Sequence, residues 1–394
     1  MDISIFFEPL KTIDYENILN NNSKSMGKVI DAYFDEGAFP DLENKHIALI
    51  GVKEDRSAVN NEGCALAPDY IRKYFYKLST GFCSPKIVDL GNIKRGFEVE
   101  DTYYAISNVI TELLKLKIIP VIIGGSQDLT KANYTAYESL SQVINIVSVD
   151  NQFDLGNPEE RLNSQSYLSN IIVQQPNFLF NFTNIGYQTY FVEQEYIDLM
   201  KKLYFDIYRL GLVRSDLNEV EPMVRNADVM SFDISAIRQS DAPGNCNATP
   251  NGFYGEEACQ IVRFAGLSDK LTSIGFYEYN PLYDKSEQTA HLLAQMIWYF
   301  IDGYYNRKQD FPLTNKSDFI KYLVSISDHK HEIVFFKSKR SERWWMEVPC
   351  PADRITKYER HHLIPCSYAD YKSACNEDMP DRWWQAYQKL TVNS

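Results

Sequence analysis

The chain has 394 residues, 44% of them hydrophobic, with a formal net charge of -13 and a sequence pI of about 5.0. Such an acidic chain is repelled by phosphate backbones and anionic lipid, so no nucleic-acid or membrane-surface partner is expected. No apolar run reaches the roughly 18–20 residues of a membrane span. The first residues, MDISIFFEPL, lack the basic start of a signal peptide, and the expected location is cytoplasmic.

Residues 1–45 are polar and read as a partly helical lead-in. HIALIGV (46–52) is a short apolar run ending in glycine, as in a buried parallel strand. APDYIRKYFYKL (67–78) has helical periodicity with Pro68 in its first turn. PKIVDLG (85–91) is a second strand, TYYAISNVITELLKLK (102–117) an amphipathic helix, and IIPVIIGGS (118–126) a strand ending in a glycine pair. That pair is explained by a tight strand exit better than by phosphate binding. VINIVSVDNQFD (143–154), NFLFNFTNIGY (177–187), YFDIYRLGLV (204–213) and DVMSFDIS (228–235) are further strands. A helix (255–267), a strand (271–281) and a long helix (288–305) complete the alternation.

Alternating apolar strands and helices imply a three-layer α/β/α sandwich around a mainly parallel sheet. In such sheets the site lies beyond the carboxyl ends of the strands. Polar residues gather there: Ser126, Gln127 and Asp128; Asp150, Gln152 and Asp154; Asp233 and Ser235; and Glu278. Past residue 306 the pattern changes, and 315–394 is read as a C-terminal extension of the α/β domain at 46–314. FIKYLVSISDHKHEIVFFKS is expected to be a helix followed by a strand. The extension holds Trp344, Trp345, Trp383 and Trp384, which either anchor it to its own domain or meet a protein partner. The seven cysteines, including Cys83, form no CxxC pair and read as reduced thiols. His329, His331, His361 and His362 read as surface or interface residues, and no histidine falls at the strand ends.

Five blocks, in order, resemble the ureohydrolase family of arginases, agmatinases and formimidoylglutamases. They are IALIGVKEDRSAVNNEGCALAPDYIR (47–72), VIIGGSQDLT (121–130), VSVDNQFDL (147–155), SFDISAIRQSDAPG (231–244) and SIGFYEYNPLYDKSEQTAHLLAQMI (273–297). The resemblance implies an arginase-like fold and a site for two Mn²⁺ ions held by two His and four Asp. It also implies a metal-bridging hydroxide that attacks a guanidino-type carbon. Against that pattern Gln127 stands at the first His. Asp150, Gln152 and Asp154 stand at the Asp-x-His-x-Asp trio, and Asp233 and Ser235 at the Asp-x-Asp pair. Glu278 matches the carboxylate that holds the substrate's guanidinium.

Paired ions lower the pKa of a shared water. Gln offers only a neutral carbonyl oxygen in place of imidazole, and Ser removes a charge, each change weakening metal affinity. A manganese pair is therefore not expected. An all-oxygen donor set leaves a single Mg²⁺ or Ca²⁺ open. With no metal, clustered carboxylates repel, so one protonates or a basic side chain enters. Arg238, on the loop leaving the Asp233 strand, is the candidate, paired to Asp150 or Asp154. The leading expectation is a protein that has lost hydrolysis. It would bind a small cationic or amide ligand over Glu278, or a protein partner through the extension. The alternative is a hydrolase of linear amidines or guanidines with an altered ion. Family members commonly form trimers or hexamers, so the resemblance also implies a homo-oligomer.

Overall fold

The computed structural model describes the whole chain except residues 22–23, 36, 82–84, 313–315, 327–330 and 392–394. Cys83 and His329 lie outside the described residues. One large sheet contains β1 (Phe7–Glu8), β2 (Asp31–Ala32), β3 (Ile47–Val52), β4 (Ile87–Ile93), β5 (Ile119–Gly124), β6 (Ile144–Val149), β7 (Leu179–Tyr187), β8 (Asp206–Arg209), β9 (Val229–Asp233) and β10 (Ser273–Tyr277). Its order is β1-β4-β3-β5-β10-β9-β6-β7-β8, with β2 also paired to β4. All pairings are parallel except the short antiparallel contact of β1 with β4. The polar lead-in thus contributes two short strands to the main sheet. Residues 204–213 are not one strand: after β8 the chain turns helical over Leu210–Ser215.

Side chains alternate across the strands and feed two layers. Ile47 and Leu49 of β3 enter one core, with helices α1 (Ala67–Phe75), α2 (Gly255–Leu267) and α3 (Gln288–Tyr305). Ala48 and Ile50 enter the opposite core, against the helices at Val99–Lys115 and Leu129–Ser139. With both faces covered, β3, β5 and β6 are buried at every position. That explains their continuous apolar runs.

The extension forms a second, antiparallel sheet: β11 (Phe319–Ile326), β12 (His331–Ser338), β13 (Trp344–Glu347) and β14 (Leu363–Cys366). The expected helix at its start is instead strand β11, which pairs with β12 over eight residue positions. Tyr322, Val324 and Ile326 share one face and pack into the extension's core, a two-residue period that suits a strand. Helices α4 (Tyr368–Cys375) and α5 (Asp381–Thr391) follow, and Trp383, Ala386 and Leu390 of α5 enter the same core. Trp344, Trp345 and Trp383 are buried, whereas Trp384 is exposed.

Candidate functional site

Strands β5, β10, β9 and β6 are adjacent in the sheet and parallel, so their carboxyl ends open on one edge. Those ends carry Gln127, Glu278, Asp233 and Asp150, with Asp154 four residues beyond Asp150. The β5 exit is tight because Gly125 runs against the Glu54 loop. A Cβ there would lie 1.7 Å from the Glu54 carbonyl oxygen. Asp154 (φ 52°) and Glu278 (φ 67°) both adopt left-handed backbone, which is uncommon for residues other than glycine.

Gln127, Asp150, Asp154, Asp233 and Glu278 are all buried. The Gln127 carboxamide could point its nitrogen at Ser148, Tyr167 and Ser231, 3.2–3.4 Å away, but its oxygen would then face only carboxylate oxygens, so the turned orientation is the better match. Its Nε2 then lies 3.1 Å from Asp150 Oδ2, 3.0 Å from Asp154 Oδ2 and 3.0 Å from Asp233 Oδ2. Its Oε1 accepts from Ser148 Oγ at 3.3 Å and Ser231 Oγ at 3.2 Å. The second oxygens of Asp150 and Asp233 meet backbone, Asp150 Oδ1 accepting from Gln152 N at 3.0 Å and Asp233 Oδ1 from Ser235 N at 2.6 Å, while Asp150 and Asp154 share a side-chain hydrogen bond. Glu278 is fully engaged, with Oε1 accepting from Gln127 N at 2.8 Å and Oε2 from Asn61 Nδ2 at 2.7 Å. Asn61 and Asn245 also donate to the Glu278 carbonyl, each at 2.9 Å.

Burial dominates the acidities. It raises Asp150 to about 6, against hydrogen bonds that favour the anion. Asp154 and Asp233 are pushed well above the carboxylate range, first by burial and then by the charge of Asp150. Burial raises Glu278 to about 7, although Asn61 and the Gln127 N–H oppose it. Burial and mutual repulsion thus favour the protonated form of these carboxyls relative to exposed acids.

Arg238 does not enter the cluster. Its Nε pairs with Asp241 Oδ1 at 2.9 Å, and its guanidinium lies 3.8 Å from the centre of the Tyr254 ring. The expected pairing with Asp150 or Asp154 is thus corrected. An i,i+3 carboxylate and an aromatic face are nearer on the same loop, and a neutral amide already faces the acids. Ser235 brings its backbone N–H to Asp233, while Gln152 lines a 190 Å³ cavity with Asp154, Phe191 and Tyr196. The Ser235 side chain also bonds Asp233, but neither residue adds a carboxylate to the three around Gln127 Nε2.

Asn61, Ser148, Ser231 and Tyr167 were not singled out from the sequence, although they complete the site. Ser148 and Ser231 are polar residues flanked on both sides by apolar ones in β6 and β9, and they are partners in the β6–β9 register. That interruption of two apolar runs was a legible signal. Tyr167 bonds Ser148 at 3.2 Å, and Thr130 bonds Ser231 at 2.8 Å, so both serines are held from behind.

A pair of dications needs anionic ligands converging on two open points. Here three carboxylates converge on an amide nitrogen, and Gln152 and Ser235 add no charge. Among the described residues, no group of three or more His, Cys, Asp or Glu is arranged to hold a metal ion. Around Gln127 the set offers three aspartates and no imidazole.

A model of the arginase family matches residues 45–302. A formimidoylglutamase of Staphylococcus haemolyticus is 25% identical over 289 residues, covering 68% of this chain and 92% of that protein. One from Bacillus subtilis is 22% identical over 279 residues, covering 65% and 86%. Among solved structures, Bacillus subtilis formimidoylglutamase aligns with a TM-score of 0.65 at 21% identity, covering 72% of this chain and 92% of that one. Trypanosoma cruzi formiminoglutamase with Mn²⁺ aligns with a TM-score of 0.63 at 19% identity, covering 68% and 97%.

Proposed function

The chain belongs to the arginase family, and we propose that within this hydrolase fold it acts by binding rather than by two-metal hydrolysis. The observation that carries this reading is the convergence of Asp150, Asp154 and Asp233 on the Gln127 amide. Where a metal-activated water would form, there is a neutral donor, with no imidazole beside it. Glu278, the carboxylate that would grip a cationic substrate, spends both oxygens on Gln127 and Asn61. Surfaces for binding lie elsewhere. A 760 Å³ cleft between the extension and the main domain is lined by Tyr322, Trp344, Tyr368 and Tyr371, with Glu221 and Arg343 among its charged groups. Aromatic faces beside fixed charges suit a ligand or protein partner.

The test is elemental analysis of purified protein, together with assays for formamide or urea release from formimidoylglutamate, agmatine and arginine. Metal far below two ions per chain and no release are expected. Two manganese ions per chain with hydrolysis would overturn the reading. A second reading, a hydrolase of linear amidines with an altered ion, is favoured by the formimidoylglutamase relatives and by the retained Asp150, Asp154, Asp233 and Glu278. The same assays separate the two.

A further inference from the structure

Three aspartates this close and this buried need positive charge, protons or hydrogen-bond donors. No arginine of the adjoining loop supplies the charge, because Arg238 is bound to Asp241. The donor present is Gln127, whose terminal nitrogen is 3.0–3.1 Å from one oxygen of each aspartate. Its orientation is fixed from both ends. Reversed, Nε2 would still reach Ser148, Tyr167 and Ser231, but the carbonyl oxygen would face three carboxylate oxygens. Upright, Oε1 receives Ser148 and Ser231, themselves backed by Tyr167 and Thr130. The backbone is fixed as well, since Gln127 N donates to Glu278 Oε1 and Gly125 is wedged against Glu54.

We propose that the Gln127 carboxamide takes the place of a cation. It is a neutral tie joining the β5 exit to the β6 loop and the end of β9, and it excludes divalent ions from the strand ends. This deepens the binding reading above and rests on it. The acids are kept because they accept from the tie.

The test compares thermal unfolding of the wild-type chain, Gln127→Ala and Gln127→Glu in chelator, Mg²⁺, Ca²⁺ and Mn²⁺, with ions per chain counted after dialysis. The wild-type Tm is expected to be the same in chelator and in each ion. Gln127→Ala empties the focus and Gln127→Glu adds a fourth carboxylate. Both are expected to lose several degrees in chelator and to regain them, with about one ion bound, when a divalent ion is added. Should Gln127→Ala fail to fold, the isosteric Gln127→Glu carries the same readout. A wild-type Tm that falls in chelator, or one ion per wild-type chain, overturns the tie but leaves the non-hydrolytic reading standing. Variants as stable as wild type in chelator, or variants that no ion restores, also overturn the tie. Hydrolysis by the wild-type chain sinks the functional reading itself.

Discussion

The acid cluster at the strand ends and the seam beneath the C-terminal extension both bury ionisable groups, with opposite chemistry. At the seam, most charges meet their opposites. Arg225 and Arg343 share Glu221 at 2.9 and 3.0 Å, Arg382 pairs with Glu219 at 3.3 Å, and Arg360 with Asp228 at 2.6 Å. Two lysines are less well served. Lys389 donates to Asn181 among the Phe180 and Phe205 rings, and Lys270 meets Asn226 and the Arg360 carbonyl, with Asp228 at 3.8 Å. Burial lowers both to about 8. At the strand ends the buried charges are all of one sign and an amide stands between them. Paired charge holds two layers together, whereas like charge demands protons or a donor. The seam pairs its charges, and the cluster shares a donor among its acids.

The largest effect should come from the extension's own apolar core, which backs the seam. Trp383 is fully buried and its Nε1 donates to the Glu347 carbonyl at 2.9 Å. Trp383→Ala should cost roughly 3–5 kcal/mol in denaturant unfolding. If the extension melts separately while the main domain does not, the seam is a weaker interface than its pairing suggests.

The next effects separate the regions by pH. Lys389 and Lys270 have folded pKa values below their usual 10.5, so the folded state binds fewer protons between about 8 and 10.5. Their contribution to stability should therefore rise with pH across that window, by roughly 3 kcal/mol per lysine at most. Lys389→Met should flatten part of the rise. A rise unchanged in that variant would show that Lys389 is not desolvated.

The acids act with the opposite sign. Asp150 and Glu278 are raised from 3.8 and 4.5 to about 6 and about 7, so the folded state holds extra protons between those limits. Stability from this cluster should be greatest at acid pH and fall as pH rises toward 7. Asp154→Asn mimics a protonated carboxyl and should leave stability at neutral pH equal or about 1 kcal/mol higher, with a shallower slope. A marked loss would mean that the Asp154 charge is needed, as it would be for a metal. The smallest effect is expected at Arg238, whose pair with Asp241 is partly exposed. Arg238→Ala should cost under about 1 kcal/mol and leave the acid-side slope unchanged.

Much of this could be read from residue patterns. The α2 and α3 helices fall on the expected spans, and the apolar runs became the central strands. Polar residues following those runs named the acids, because a parallel sheet buried on both faces leaves polar groups only at its ends. Locally ambiguous segments were less legible. β11 is read as a helix in isolation and becomes a strand only by pairing with β12. The strands β1 and β2 are two residues each and exist only because β4 offers its edges.

The residue types at the site are local facts, and Gln127, Gln152 and Ser235 are visible without coordinates. What those residues do with one another is not. Gln127 and Glu278 are 151 positions apart, and they meet because the sheet inserts β10 and β9 between β5 and β6. Whether a glutamine faces three acids as donor or acceptor, and whether an arginine turns toward them or away, depends on hydroxyls and carboxylates brought in from other strands. Hydrogen bonds and charge pairing act across space over a few ångströms, and only the folded sheet decides which groups come that close.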